Sequence, residues 1–262
     1  MQIGTTLTVM AAAFAAGSIN AIAGGGTLIT FPALLGIGLA GPQANVTSTL
    51  SLWPGSMGGF LGHREDLKGT RSFALRLVPP SLLGGALGAW LLMITPASVF
   101  AHLIPWLILV ATILLAAHEP ASRLLKRVGS RERTPGWWIG AIAFQFLVGI
   151  YGGYFGAGIG ILMLAALSLL GLTDIHQMNG LKNFLALSIN GIAIVTFIVT
   201  EFVRHPGNIV WHLALLMALA AMGGGLFGAH MAHRVGRRVV RFAVVVIGFG
   251  LSAWYFYKHA VG

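Results

Sequence analysis

Apolar runs of membrane-spanning length alternate with short polar or basic stretches along the whole chain, and two of the runs are cut by glycine. Residues 5–23 read as one apolar helix, ended by Gly24-Gly25-Gly26. The piece that follows, 27–39, is apolar but too short to cross alone, since a spanning helix needs roughly 20 mostly apolar residues. Gly41-Pro42 restarts a helix, proline being suited to a first helical position. It runs to about Gly62, with a kink expected at Pro54. After the polar loop 63–76, helices are expected over 73–94 and, from Thr95-Pro96, as far as Ala117.

The basic stretch 118–134 separates this half from a second one that repeats its order. Thr134-Pro135 opens a helix over 136–153, which meets Gly152-Gly153-Tyr154-Phe155-Gly156-Ala157-Gly158-Ile159-Gly160. A short piece, 159–170, follows. Asp174 with Gln177 three residues on reads as a capping box, starting a helix to about Thr200. The loop 201–208, a helix over 209–230, the basic loop 231–241 and a last helix over 242–257 complete the pattern. A shift of 134 residues places Gly24 on Gly158, Gly26 on Gly160, Gln43 on Gln177, Asn45 on Asn179 and Thr49 on Asn183.

Charge then bears on topology. If each broken helix is a re-entrant hairpin with no net crossing, each half crosses three times and the second half is inverted. All three basic loops, 63–76, 118–134 and 231–241, then share one side, as loops on the cytoplasmic face do. The expected fold is an all-α integral membrane protein of about eight transmembrane helices plus two short re-entrant half-helices, in two inverted repeats. Residues 1–117 form the first repeat, 118–134 a basic cytoplasmic linker, and 135–262 the second repeat.

Composition agrees. Hydrophobic residues make up 56% of the chain and charged residues 8%, with a mean hydropathy of +0.86. A soluble domain carries about 25% charged residues. The formal charge of +10 sits in short loops between apolar runs, which argues for the positive-inside pattern and against a nucleic-acid binder. With no cysteine there is no disulfide framework or thiolate metal site. No basic residue precedes the first apolar segment, so it is expected to be retained as a helix and not cleaved as a leader.

The candidate chemistry lies at the glycine breaks. Irregular backbone at membrane depth is tolerated only where it is buried in protein or lines a cavity, and paired breaks in matching places of two halves point to a transporter's binding site. The starts of the two short helices, Thr27 and Ile159, would each offer unpaired N–H groups and about half a positive charge, which suits an anion. The candidate contacts are Gly24, Gly25, Gly26, Thr27, Gly156, Gly158, Ile159 and Gly160. Thr49, Lys182 and Asn183 join them from the helices that follow each break. His176 and His212 are candidates for carrying a coupling proton. Gly84, Gly85, Gly88 and 223–225 read instead as close helix packing. His230-x-x-His233 lacks a third metal ligand, and no cofactor is expected.

The motif Ala16-Gly17-Ser18-Ile19-Asn20-Ala21-Ile22-Ala23-Gly24-Gly25-Gly26-Thr27, with Phe31-Pro32-Ala33-Leu34 and Gln43-Ala44-Asn45-Val46-Thr47-Ser48, resembles the TauE/SafE sulfite exporter family. Gly149-Ile150-Tyr151-Gly152-Gly153-Tyr154-Phe155-Gly156-Ala157-Gly158 resembles that family's second repeat. The resemblance implies a bacterial inner-membrane carrier, expected to export sulfite, sulfonates or related sulfur-containing anions. It departs from the pattern at Ile159 and at Met178-Asn179-Gly180-Leu181. The expected partners are a small anion and the lipid bilayer, with homo-oligomers allowed and nucleic acid not. A passive anion channel, or an intramembrane metal-binding protein or enzyme using the histidines, is the alternative.

Overall fold

The computed structural model describes residues 3–22, 24–62, 64–127, 135–170, 172, 174–203, 207, 209–231 and 237–261. Among them the chain forms ten α-helices and no strand. The first half holds α1 (Ile3–Ile22), α2 (Thr27–Gly36), α3 (Gly41–Gly62), a short 3-10 turn (Arg64–Leu67), α4 (Arg71–Ile94) and α5 (Ala97–Arg127). The second holds α6 (Pro135–Tyr154), α7 (Ile159–Leu169), α8 (Ile175–Val203), α9 (Trp211–Met231) and α10 (Arg237–Val261).

The order is the expected one, but several helices outrun the hydropathy. α5 continues to Arg127, α8 to Val203, and α4 and α10 begin at Arg71 and Arg237. Hydropathy marks only the part of a helix suited to lipid. Arg, Lys, Glu and Ala are good helix formers and carry the turns onward. The capping box is also only half formed. Asp174 Oδ1 accepts the amide of His176 at 2.8 Å, while Gln177 turns away and donates to the carbonyl of Lys68 at 3.3 Å.

Six of the described helices are long and apolar enough to cross a membrane: Gly4–Ile22, Arg71–Ile94, Ala97–Ala117, His176–Val203, Trp211–Gly228 and Arg238–Lys258. Of the helices expected to span, α3 is the one too polar to meet that standard over its described residues. α6 (Pro135–Tyr154) is apolar over Trp138–Tyr154. α3 carries Gln43, Asn45, Thr47, Ser48, Thr49, Ser51 and Ser56, and it packs among α2, α8 and α9. Buried between helices, α3 is not required to be apolar all round.

The outward faces of α9 and α10 are a belt of large apolar side chains, with Leu226 77% and Phe242 71% exposed. A water-facing surface leaves few such residues in continuous stretches. Inside, each short helix is the centre of its own apolar cluster. Phe31 and Leu34 of α2 lie with Phe100, Ile108, Phe155 and Met217. Met163 and Leu167 of α7 lie with Leu77, Leu181, Leu185 and Ile189.

The two halves interlock. α1 packs on α9 and α6 on α4, while α3 meets α8 and α5 meets α10. Along α4 and α6 the contacts rise together: Gln145 bonds Ser81, a Cβ on Gly149 would stand 3.0 Å from the Ser81 carbonyl, and Gly88 lies against Ile150 and Tyr154. These helices therefore run in the same direction. α4 and α8 do too, Gly69 lying by Gln177 and Gly85 by Ile189 and Ile192. α3 and α8 run oppositely, with Trp53 at Leu187 and Phe60 at Phe184. So do α5 and α10, with Thr112 at Gly248, Ser252 bonded to Pro105, and Trp106 on Phe256. Backbone meets backbone at Gly84 and Gly88 against the carbonyls of Phe146 and Ile150, and at Gly224 against Phe14, as packing glycines require. Gly223 and Gly225 have room beside them and are not needed for that closeness.

Candidate functional site

Both breaks begin the same way. Past the end of α1, Gly24 takes φ +79° and its amide bonds back to the Ile19 carbonyl at 3.0 Å. Past the end of α6, Gly156 takes φ +79° and bonds back to Tyr151 at 3.2 Å. A left-handed residue past the last turn is a common way to end a helix, and glycine suits it because a side chain there is strained.

The pair corrects the register read from sequence. Gly24 matches Gly156, not Gly158, and Thr27 matches Ile159, both at a separation of 132 residues. The 134-residue register begins only at α3 and α8. α7 has 11 residues against 10 in α2, and the link after it is one longer. Sparse identity could not place those two insertions.

Different side chains brace the two breaks. The Gly26 amide donates to Asn20 Oδ1 at 2.7 Å, and a Cβ on Gly26 would stand 2.5 Å from the Ala16 carbonyl oxygen. In the second break the Tyr151 hydroxyl donates to the Ala157 carbonyl at 2.8 Å. The breaks then meet a common wall. A Cβ on Gly25 would stand 3.0 Å from Leu115 Cδ2, and one on Gly158 3.3 Å from Leu114 Cβ, so both lie against one turn of α5. Phe31, one turn into α2, meets Phe155 edge to face at 5.3 Å between ring centroids.

The helices after the breaks supply polar groups. Asn45 on α3 is 1% exposed, and its Nδ2 donates to the Tyr154 carbonyl at the end of α6, at 2.8 Å. Its Oδ1 is buried and meets no donor among the described residues. Ser48 shares a 2.6 Å hydrogen bond with Thr30 of α2. Thr49 is partly buried, and its hydroxyl donates back to the Asn45 carbonyl at 2.9 Å. On α8 the Lys182 stem crosses the first turn of α7: its Cδ would be 3.2 Å from a Cβ on Gly160, and its Nζ donates to Asn179 Oδ1 at 3.3 Å. Asn183 is partly buried on the same helix, and Asn190 Oδ1 would lie 3.6 Å from a Cβ on Gly156. The amides of Thr27, Ile159 and Gly160 meet no acceptor among the described residues. No Asp or Glu occurs in 24–36 or 156–170.

The histidines stand elsewhere. His176 and His212 are exposed in the first turns of α8 and α9. His230 is exposed in the last turn of α9, and His233 lies outside the described residues. No three of His, Asp, Glu or Cys stand together as a metal site among the described residues. Sequence reasoning missed Asn20, Thr30 and Tyr151 as braces of the breaks. Polarity at Asn20 and Thr30 was the available signal. Ala111, Leu114 and Leu115 carried none, being ordinary apolar residues of a spanning helix.

The sulfite exporter TauE/SafE family matches residues 9–255. Over 245 residues the chain is 31% identical to the "Probable membrane transporter protein" of Haemophilus influenzae, covering 92% of this chain and 90% of that one. Over 243 residues it is 30% identical to the "Probable membrane transporter protein ORF9" of Sinorhizobium sp, covering 92% and 88%. "Probable membrane transporter protein YfcA" of Escherichia coli strain K12 is 24% identical over 246 residues. No solved structure gives a significant match. A match running from within α1 to the last turns of α10 takes in both glycine breaks and reaches into every candidate span, and the chain belongs to the sulfite exporter TauE/SafE family of multi-pass membrane transporters.

Proposed function

We propose that the protein is a secondary carrier, working as an exporter, of small sulfur-containing anions such as sulfite or short sulfonates across a bacterial inner membrane. The anion sits between the starts of α2 and α7, with Gly24, Gly25, Gly26, Thr27, Gly156, Gly158, Ile159 and Gly160 lining the approach and Thr49, Lys182 and Asn183 beside it. The observation that carries this reading is Lys182 lying across the first turn of α7. A helix start has a positive end, and Lys182 places a second positive group beside it, so together they attract an anion. Amides with no acceptor among the described residues, and a lysine beside backbone that glycine keeps bare, make a receptor for a small oxyanion.

Helix directions support two inverted repeats, 1–117 and 135–262. α4 runs with α6 and α8, and opposite to α3 through the α3–α8 pair. The short Thr95-Pro96 connection turns α5 back against α4, and α10 opposes α5. α3 and its counterpart α8 thus point opposite ways, as do α5 and α10. α2 and α7 then act as returning arms of re-entrant hairpins, leaving eight principal helices. On this arrangement the basic stretches 63–76, 118–134 and 231–241 gather on one face, the cytoplasmic one by their charge. His176 and His212, exposed at helix starts, are the proposed carriers of a coupling proton.

Purified protein in liposomes loaded with labelled sulfite or a short alkanesulfonate tests the function. Saturable flux is expected, reduced by Lys182→Met. Flux that never saturates points to a channel, and no flux of any anion in such a panel removes the carrier reading.

A further inference from the structure

The geometry points to a second site, for an anionic phospholipid, on the exposed face of α4 where Arg76 stacks on Trp138 of α6. It rests only on the chain's being a multi-pass membrane protein, and neither the substrate nor the inverted topology enters it.

The Arg76 guanidinium carbon lies 4.3 Å from the centroid of the Trp138 ring, and Phe73 packs on the same ring at 5.5 Å. Tryptophan collects at the headgroup level of membrane proteins, and Arg76 and Trp138 both lie within the first two turns of their helices, α4 and α6. Stacking fixes the plane of a guanidinium and leaves its N–H edges free for a phosphate, which they match two at a time. Arg71, five residues before Arg76 at the start of α4, is also exposed and stands on the far side of the exposed face from Trp138. Neither arginine meets a carboxylate among the described residues, Glu65 being paired with Lys68.

Apolar side chains fill the exposed face between the two arginines, at four-residue spacing from Arg71. Leu75 and Leu83 are each 66% exposed, with Pro79 exposed between them and Ile139 of α6 70% exposed nearby in sequence to Trp138. From Leu75 to Leu83 the helix rises about 12 Å. A lipid with a net negative headgroup satisfies both parts, its phosphodiester at Arg71 and Arg76 and an acyl chain along the leucines. A free ion uses only the first. A zwitterionic lipid brings its own ammonium to two arginines and is disfavoured.

The test uses the full chain, delipidated in an uncharged detergent and titrated with phosphatidylglycerol or phosphatidylcholine, with bound lipid counted by native mass spectrometry. Phosphatidylglycerol should bind about fivefold more tightly for each arginine engaged. Arg76→Ala and Trp138→Ala should each lower that preference, Arg76→Lys should lower it partly, Trp138→Phe should largely keep it, and Lys258→Ala on α10 should leave it unchanged. Equal binding of the two lipids overturns the proposal. So does full preference retained in Arg76→Ala, or displacement of the lipid by inorganic phosphate at equal concentration. Because Arg76 is exposed, the variants should fold, and an unchanged unfolding midpoint without lipid checks this independently.

Discussion

Gln43 and Gln177, 134 residues apart, make the same contact in the two halves. Gln43 Nε2 donates to the carbonyl of Gly207 at 2.8 Å, and Gln177 Nε2 to that of Lys68 at 3.3 Å. Each glutamine sits in the first turn of the helix after a short arm and reaches the hairpin that joins two helices of the other half. At both acceptors a glycine of positive φ is present, Gly207 itself and Gly69 beside Lys68. The contact ties the entry of α3 to the α8–α9 turn and the entry of α8 to the α3–α4 turn.

If the halves are inverted, these ties close opposite ends of the molecule. The chain has no cysteine, so a single Thr49→Cys is a clean reporter. Gln43→Ala should speed its labelling by an impermeant maleimide from one side of the membrane, and Gln177→Ala from the other. Equal effects from one side alone would refute the inverted arrangement.

The glycines at the breaks divide by cause. Gly24→Ala and Gly156→Ala force an L side chain to φ +79°, at a cost of about 1–2 kcal/mol each. Gly140→Ala, in helical backbone with nothing within 4 Å of the added Cβ, should be neutral or stabilise by up to about 1 kcal/mol. Unfolding midpoints in detergent measure the difference. Gly26→Leu and Gly84→Leu cannot separate binding from packing, because a Cβ at either site already meets a backbone carbonyl.

The order of long and short helices was legible because lipid demands length and apolarity together. Gly24 and Gly156 were legible as breaks, since glycine doublets seldom interrupt spanning helices without reason. The register between them was not. Two single-residue insertions after Gly156 moved the best sequence alignment onto Gly158. The extension of α5 past Ala117 was hidden because hydropathy stops where lipid stops, while helix propensity does not. The braces at Asn20 and Tyr151, and the wall at Leu114 and Leu115, depend on which distant helices meet. No local pattern encodes that.

Asn45 tests how the halves are joined. Its Nδ2 holds the carbonyl at the end of α6, and Asn45 itself is buried. Asn45→Leu leaves that carbonyl without the bond, at a cost of about 1–3 kcal/mol. Asn45→Asp removes the donor and also buries a carboxyl against a carbonyl, so it should be the worse of the two. Thr49→Ala loses only a bond within its own helix and should lower the midpoint least.

Gly160 and Lys182 separate binding from folding most sharply. A Cβ on Gly160 would stand 3.2 Å from Lys182 Cδ, the flexible part of a long side chain, so Gly160→Ala displaces the lysine without touching backbone. Losing a hydrogen bond to a charged group costs about 1.5–3 kcal/mol, which is roughly 10- to 150-fold in affinity. Lys182→Met should weaken anion affinity by that order and leave the unfolding midpoint near the parent's. Gly160→Ala should do the same to a smaller degree. Lys182→Arg keeps the charge but widens the head, so it should retain binding while shifting preference among anions. Unaltered anion affinity in Lys182→Met would mean that the lysine only snorkels toward the surface. The positive start of α7 would then face no anion through it.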